Sequence, residues 1–199
     1  MAPQLYLITP AAADPETFPA TLMAVLNVAQ FSALLVRRSG LDDAAYAKLA
    51  ANLVNVGQGA GCAVLLEDDA ALAKRLGADG VHVTGDAKAV KDAIAALKPN
   101  LIVGAGTIGS RHDAMTAGEM DVDYLFFGPL DGPSDAAAAD LAEWWASTFE
   151  IPAVLSDPQA DATVDSRGAE FLALSSSIWS APSPVGAAAT IVNATGETA

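Results

Sequence analysis

Short runs of apolar residues alternate along this chain with longer segments in which apolar residues recur at helical spacing. Eight of the runs, each four to seven residues long, are continuously apolar, which is typical of parallel strands covered on both faces. We expect a helical segment after each of them. The predicted strands are 5–9, 32–38, two runs within 62–84, 101–106, 124–129, 151–155 and 171–174.

The order of these elements predicts a barrel. A strand, a short amphipathic helix and a second strand occupy 62–84, and the same arrangement returns in 152–174 with a similar strand and a similar acidic turn. Eight strand–helix units in 199 residues predict one α/β domain over 1–199, a (β/α)8 TIM barrel with short loops. An open doubly wound sheet is the alternative, but the first strand lacks the G-x-G-x-x-G motif of a dinucleotide-binding sheet.

The charge balance narrows the classes of partner. The chain has 24 acidic and 10 basic side chains and a net charge of −14. Nucleic acid and anionic membrane surfaces would be repelled, so we expect neither as a partner. The chain starts without the basic region of a signal peptide, and no apolar run reaches the roughly 18 residues that span a bilayer. A cytoplasmic location is therefore expected.

An acidic corner is predicted where strands three and four end, at the face of a TIM barrel that carries the chemistry. Glu67, Asp68, Asp69 and Asp86 follow these strands. Mg²⁺ is typically bound by one or two carboxylates together with water and a substrate phosphate, so this corner is a candidate metal site. For Asp69 and Asp86 the competing interpretation is helix capping, because the helix dipole favours negative charge at a helix start.

A basic corner, Arg37-Arg38, follows the second strand. Neighbouring strand residues face opposite sides, so only one of the two can point into the barrel mouth. Arg37 is the candidate for binding a phosphate bidentately, and pairing with nearby carboxylates is the alternative. The fifth and eighth strands end in the hydroxyl residues Thr107, Ser175 and Ser176, and we take Thr107 as a further substrate-binding candidate.

Two other features have structural interpretations. His82 lies inside an apolar strand, and we expect a hydrogen-bonded interior residue rather than a catalyst. Trp144 and Trp145 recur with Leu141 at helical spacing, which predicts packing of an outer helix. A contact between copies in a homo-oligomer is the alternative for this pair.

Four segments resemble, in order and spacing, the signature strands of thiamine-phosphate synthase and of its relative TenI, the thiazole tautomerase. They are LYLIT (5–9), GADGVHV (77–83), DYLFFGP (123–129) and IPAV (151–154). The resemblance covers nearly the whole chain and implies a (β/α)8 barrel. It further implies an enzyme that joins a hydroxymethylpyrimidine diphosphate to a thiazole phosphate with Mg²⁺ and releases pyrophosphate. The implied partner is a small phosphorylated or diphosphorylated metabolite.

The resemblance carries over to the diphosphate and metal residues in part. Arg37 matches the arginine that binds the diphosphate, whereas the following lysine of the family is Ser39 here. Asp68 matches one of the Mg²⁺-binding aspartates. A second metal-binding aspartate aligns with Ala87, and the neighbouring Asp86 is the candidate to replace it.

The phosphate-binding loops depart further from the family. Its Gly-Gly loop after the seventh strand is Ser156-Asp157 here, and its lysine after the sixth strand falls in the acidic stretch 131–135. Ser175-Ser176 take the place of a Val-Ser pair and keep hydroxyls and amides for substrate binding. Each lost charge-assisted phosphate contact weakens binding by about 1.5 to 3 kcal/mol.

Three functions are therefore open. The first is the coupling enzyme of this family, with Arg37, Asp68 and Asp86 handling a metal-bound diphosphate. The second is a non-catalytic, repurposed barrel that binds a less charged small molecule or a protein partner. The third is a different barrel reaction that uses the acidic corner with a metal.

Overall fold

A computed structural model of the protein describes residues 2–11, 13–38, 40–161 and 165–195. Eight parallel strands form a closed barrel, in which each strand pairs with the next along the chain and the last pairs with the first. The predicted (β/α)8 barrel is thus confirmed, and the open sheet is excluded. The strands are β1 (Gln4–Ile8), β2 (Ala33–Val36), β3 (Ala63–Glu67), β4 (Gly80–Val83), β5 (Ile102–Ala105), β6 (Tyr124–Phe127), β7 (Ala153–Ser156) and β8 (Phe171–Leu174).

The helices surround the barrel, and one link in the expected alternation differs. After β7 the described residues, 157–161 and 165–170, form turns and irregular backbone instead of the expected helix. Pro158 and Gly168 favour turns there. The helices are α1 (Phe18–Leu26), α2 (Asp43–Gly59), α3 (Ala70–Leu76), α4 (Ala87–Leu97), α5 (Arg111–Gly118), α6 (Ala136–Ala146), α7 (Ser176–Trp179) and α8 (Pro184–Thr195).

Side chains alternate between the barrel interior and the helix layer. The outward set packs against the helices in the larger hydrophobic cluster, which explains why the strands are continuously apolar. The residues two positions after the inward-facing Leu35, Val154 and Ala173 also face inward, and they lie at the barrel mouth. The interior cluster consists of Tyr6, Ile8, Ala33, Leu35, Leu65, Tyr124, Phe126, Val154 and Ala173.

Short polar side chains begin five of the helices. Each accepts a hydrogen bond from a backbone amide in the first helical turn, which satisfies a donor that the helix itself leaves free. The capping interpretation of Asp69 and Asp86 is therefore confirmed. The five caps are Asp42, Asp69, Asp86, Ser110 and Asp135, at the starts of α2 to α6.

The sequence Asp14-Pro15-Glu16, with proline in the first turn, predicts a helix start, whereas the first helix begins at Phe18. The Asp14 carboxylate accepts hydrogen bonds from the amides of Glu16 and Thr17, at 2.8 and 3.0 Å. This side-chain turn competes with helix geometry over the same residues. The helical pattern in the sequence therefore overestimated the length of α1.

Helix α6 carries the tryptophan pair on the outside of the barrel. Trp145 is buried, and its indole N–H donates to the Ile151 carbonyl at 2.8 Å. Trp144 is partly buried, and the Arg111 guanidinium lies 4.6 Å from its ring centroid. The predicted outer-helix packing is confirmed for Trp145. A homo-oligomer contact through this helix stays a prediction.

Candidate functional site

Arg37 lies at the barrel mouth, directly after β2 and two residues past the inward-facing Leu35. Its amide donates to the Thr9 hydroxyl at 2.9 Å, which joins the ends of β1 and β2. Its guanidinium lies 3.5 Å from an Asp131 carboxylate oxygen, and the side chain is only 14% exposed. The buried Nε has no hydrogen-bond partner within the described residues. This buried cation therefore keeps a free donor.

Arg38 faces the helix layer instead. Its guanidinium pairs with the carboxylates of Asp43 and Asp69, the latter at 3.4 Å. It also lies 5.4 Å from the centroid of the Tyr46 ring. Arg38 thus follows the pairing alternative for the basic corner, whereas Arg37 points toward the mouth and also pairs with a carboxylate there, that of Asp131.

Asp68 connects the ends of β3 and β4. One carboxylate oxygen accepts from the Thr84 amide at 2.7 Å, and the other accepts from the Thr84 hydroxyl. Its backbone φ is +53°, a left-handed conformation that is uncommon for a residue with a side chain. Thr107, at φ +59°, donates its hydroxyl to the Thr84 carbonyl at 2.7 Å. The chain Asp68–Thr84–Thr107 therefore links three strand ends at the mouth.

The other residues of the acidic corner have structural partners. Asp86 accepts from the Ala89 amide at 3.0 Å through one oxygen, and Ala87, the first residue of α4, offers no ligand atom. Glu67 accepts from the Arg38 amide at 2.7 Å. Asp86 lies two residues after Thr84, so Asp68 and Asp86 belong to the same side of the mouth.

A cavity of about 500 Å³ lies beside this acidic side, between α4 and α5. Its wall includes Asp86, Thr107 and His112, with Val90 and Ala117 as apolar lining. In the described ranges, no three His, Cys, Asp or Glu side chains come together as a metal-binding group. A Mg²⁺ ion at this corner would therefore need oxygen ligands from water and from a bound phosphate.

The ends of β7 and β8 form the opposite side of the mouth. The Ser156 hydroxyl donates to the Pro129 carbonyl at 2.6 Å, and the Ser175 hydroxyl donates to the Ile8 carbonyl at 3.1 Å. The Ser176 hydroxyl donates to the Pro158 carbonyl, also at 3.1 Å. The hydroxyls predicted to bind substrate here are thus engaged with the backbone.

The Pro158 carbonyl also caps the start of the short helix α7. Its oxygen accepts from the amides of Ser175 and Ser177, at 3.2 and 2.9 Å. These amides are the donors that a helix start would otherwise present to an anion. Asp157 precedes Pro158, and partial burial raises the pKa of its carboxyl above the ordinary value.

A hydrogen-bonded chain of rings crosses the barrel interior beneath the mouth. The Tyr124 hydroxyl lies 3.0 Å from the Tyr6 hydroxyl and 2.9 Å from His82 Nδ1. Burial lowers the pKa of His82 to about 4, against a smaller upward effect of Asp68. His82 is therefore neutral near pH 7 and hydrogen-bonded in the interior, as predicted.

Two residues of the mouth were not singled out from the sequence. Thr84 ends a predicted strand, but its role as the partner of Asp68 depends on the pairing of β3 with β4. Asp131 pairs with Arg37 across the barrel, between residues far apart in sequence. The sequence showed that Asp131 lies in an acidic stretch, but it did not show that its side chain points toward Arg37. Ser39, where the family has a lysine, lies outside the described residues.

No helix in the described part of the chain is long and apolar enough to cross a membrane. The cytoplasmic location stays an expectation.

Comparison with protein families decides the membership of this chain. A family model described as thiamine monophosphate synthase matches residues 5–178. The chain belongs to this family. The thiamine-phosphate synthase of Hyphomonas neptunium is 37% identical over 190 residues, covering 88% of this chain and 86% of the relative. That of Rhodospirillum centenum is 34% identical over 194 residues, with 93% of each chain covered.

Solved structures agree on the fold of this family member. The thiamine phosphate pyrophosphorylase from Pyrococcus furiosus superposes with a TM-score of 0.81 at 21% identity, over 98% of this chain and 96% of that one. The orotidine 5'-phosphate decarboxylase from Pyrococcus horikoshii gives a TM-score of 0.68 at 13% identity, over 96% and 100%. At these identities the superpositions support the barrel fold alone. The resemblance read from the four strand segments is confirmed by the family match.

Proposed function

We propose that this thiamine-phosphate-synthase-like protein couples a hydroxymethylpyrimidine diphosphate with a thiazole phosphate at the barrel mouth and releases pyrophosphate. The observation that carries the proposal is the Arg37 guanidinium, which is largely buried, points into the mouth and keeps an unpaired Nε–H. A buried guanidinium without a full set of acceptors is stabilised by an anionic ligand. The diphosphate is the anion that the family's reaction supplies.

Asp68 and Asp86 are proposed to hold Mg²⁺ against this diphosphate. The donor chemistry fits, because each oxygen of an ionised carboxylate has two lone pairs and the known partners of these residues take only some of them. When bound, Mg²⁺ would neutralise charge on the diphosphate. Arg37 would bind and orient the same group from the other side, and Thr107 would keep the Asp68–Thr84 corner in place.

Titration calorimetry with pyrophosphate, with and without Mg²⁺, tests the proposal. We expect micromolar binding that depends on Mg²⁺. Arg37→Gln should weaken that binding about 10- to 100-fold, because hydrogen bonds to charged groups contribute about 1.5 to 3 kcal/mol. Arg37→Lys should recover part of the loss, since lysine keeps the charge and loses the planar fork.

Arg38→Gln is the matched control. It removes the same kind of charge from the adjacent position, where the side chain pairs with Asp43 and Asp69 in the helix layer. Pyrophosphate affinity should change less than about threefold, since only long-range charge is altered. Equal losses in Arg37→Gln and Arg38→Gln would show that general charge, not Arg37 at the mouth, binds the anion.

A non-catalytic barrel is the second candidate function. The observation that favours it is Asp131, which places a carboxylate beside Arg37 where an anionic ligand would bind. In this case neither Mg²⁺ nor Arg37→Gln should affect any ligand affinity, and the wild-type protein should not bind pyrophosphate. The same titration therefore separates the two candidates.

A further inference from the structure

The barrel has a second opening at the amino-terminal ends of its strands, opposite the mouth. A cavity of about 270 Å³ lies there and reaches the interior cluster, and we call it the lower cavity. The candidate diphosphate site follows the carboxyl ends of the strands, so the lower cavity is a separate site. Its wall comes from residues at or directly before the starts of β1 to β3 and β5 to β8, among them Gln4, Ala33, Ala63, Tyr124 and Phe171.

Small side chains leave this space open. The interior of a TIM barrel is commonly filled by layers of bulky branched side chains. At the lower end, β2 and β3 contribute Ala33 and Ala63, which face inward two residues before Leu35 and Leu65. An apolar cavity of about 150 Å³ is large enough to hold benzene. The lower cavity therefore has room for a molecule with one or two rings.

The inner wall of the lower cavity is apolar and partly aromatic. Its aliphatic side chains include Leu65 and Val154, and its rings are those of Tyr6, Tyr124 and Phe171. The two tyrosine hydroxyls lie 3.0 Å apart, and that of Tyr124 also bonds to His82 at 2.9 Å, so both belong to the chain of rings. Aromatic rings pack favourably edge to face or offset against such a wall.

The charges around the lower cavity favour a neutral ligand. Among the described residues that line it there is no Lys, Arg or His, and the one carboxylate is that of Asp123. The Asp123 oxygens accept from Lys98 Nζ at 2.6 Å and from the Val103 amide at 2.7 Å. An anion would therefore find no cation in the wall, and an organic cation would find its only carboxylate engaged.

Two neutral polar side chains stand at the outer edge of the lower cavity. Gln4 is exposed at the start of β1, and Ser32 directly precedes β2. Neither side chain is hydrogen-bonded to another described residue. The Gln4 amide and the Ser32 hydroxyl can each donate and accept, so both are available to a ligand.

We propose that the lower cavity binds a small uncharged aromatic molecule, with its ring inside the barrel and a neutral hydrogen-bonding group at Gln4 and Ser32. An apolar pocket with a few polar groups at one edge is the usual form of a small-molecule site. This site lies outside the proposed function, because it uses none of the residues assigned to the diphosphate or to Mg²⁺.

Three probes that share one ring and differ in charge test the proposal. Benzyl alcohol, benzoate and benzylammonium are titrated into the isotope-labelled protein and followed by NMR. We expect benzyl alcohol to bind with a dissociation constant of about 1 mM or lower. Benzoate and benzylammonium should bind at least about 10-fold more weakly, because each would bury an unpaired charge. No binding of benzyl alcohol, or equal binding of the three probes, would overturn the proposal.

Substitutions in the wall locate the probe. Ala63→Leu fills part of the lower cavity and should weaken benzyl alcohol binding at least about 10-fold. Ala44→Leu, the same change at an exposed position of α2, should leave the affinity unchanged. An unchanged affinity in Ala63→Leu would show that the probe binds elsewhere and would overturn the proposal.

The double variant Gln4→Ala, Ser32→Ala tests the outer edge without filling the cavity, which guards against a folding defect in Ala63→Leu. It should weaken benzyl alcohol binding about 3- to 10-fold, since it removes neutral hydrogen bonds. Toluene has the same ring and no hydroxyl, so its affinity should stay at the wild-type value. Equal effects on toluene and benzyl alcohol would contradict the proposed orientation of the ligand and overturn the proposal.

Discussion

At the scale of single residues, the site depends more on which way each side chain points than on the residue type. The twofold alternation of a strand predicted that one of Arg37 and Arg38 faces the mouth, and the structure has Arg37 there. The carboxylate of Asp68 was predicted at a strand end, but its bonds to Thr84 depend on how β3 pairs with β4. Pairing between strands is a property of the closed barrel, so no local pattern contains it.

His82 should make the stability of the protein depend on pH. Its pKa is lowered by burial from an ordinary value near 6.5 to about 4, so the unfolded state binds a proton that the folded state does not. Stability is unaffected by this group above pH 6.5 and falls as the pH drops from 6.5 toward 4. We expect the free energy of unfolding to be about 1 kcal/mol lower at pH 5.5 than at pH 7 through this group.

Urea unfolding of two variants at these two pH values measures that contribution. His82→Gln cannot titrate, so the difference between pH 7 and pH 5.5 should shrink by about 1 kcal/mol. His112→Gln, at the exposed start of α5, is the control and should keep the wild-type difference. An unchanged difference in His82→Gln would mean that His82 is not buried in its neutral form.

Adding even a methyl group at Gly104 should lower the stability of the protein. A Cβ at this position would lie 1.9 Å from Cζ of Tyr124, the ring that joins Tyr6 to His82. Gly104→Ala should lower the free energy of unfolding by about 1 to 3 kcal/mol, because the packed interior must shift to accept the methyl group. Denaturant unfolding gives this value directly.

Gly59→Ala is the matched control for that substitution. Gly59 is the last residue of α2, and a Cβ there would meet no atom within 4 Å. The same measurement should show no loss, or a gain of about 0.4 to 1 kcal/mol from the reduced freedom of the unfolded chain. Equal effects at the two glycines would contradict the close approach of Tyr124.

At the scale of elements, the strands and helix caps were largely predicted from the sequence, whereas the loop conformations were not. The capping aspartates stand directly before helical patterns, so Asp69 and Asp86 were interpreted from local spacing. The segment after β7 was expected to be helical, whereas its described residues turn so that the Pro158 carbonyl reaches the start of α7. That contact joins loops after different strands, and neither loop encodes it alone.

The loop after β6 also reaches across the mouth. Leu130 packs against the interior cluster, and Asp131 pairs with Arg37. Because the Asp131 carboxylate competes with an anionic ligand for this guanidinium, Asp131→Asn should bind Mg²⁺-pyrophosphate more tightly. The gain should reach at most about fivefold, because the Asp131 carboxylate is exposed and ion pairs screened by solvent contribute about 0.2 to 1 kcal/mol.

Calorimetric titration of Asp131→Asn beside Asp92→Asn checks this expectation. Asp92 forms an exposed ion pair with Lys88 on α4, so its variant also removes one charge and one ion pair. Pyrophosphate affinity should rise in Asp131→Asn and stay near the wild-type value in Asp92→Asn. Equal gains would assign the effect to net charge, and weaker binding in Asp131→Asn would mean that this carboxylate supports the site.

At the scale of the whole molecule, the closed barrel followed from repetition, whereas the charge pattern of its mouth did not. Eight apolar runs with helical segments between them leave few folds that bury every run, and the family match agrees with the barrel. The retention of Arg37 and the loss of the glycine loop were visible in the sequence. The engagement of the Ser156, Ser175 and Ser176 hydroxyls required the fold, since their acceptors are the carbonyls of Pro129, Ile8 and Pro158.

The net charge of −14 should make the folded barrel more stable as salt is added. Raising NaCl from 10 to 150 mM shortens the Debye length from about 30 to about 8 Å, which screens repulsion among the 24 acidic side chains. Salt also weakens the exposed ion pairs, but each of these contributes only about 0 to 1 kcal/mol, so the repulsion should dominate. We expect the Tm at pH 8 to rise by several degrees and the increase to become small at pH 4.5, where many carboxylates are protonated. A Tm that falls with salt at pH 8 would show that the ion pairs outweigh the net charge in holding the barrel together.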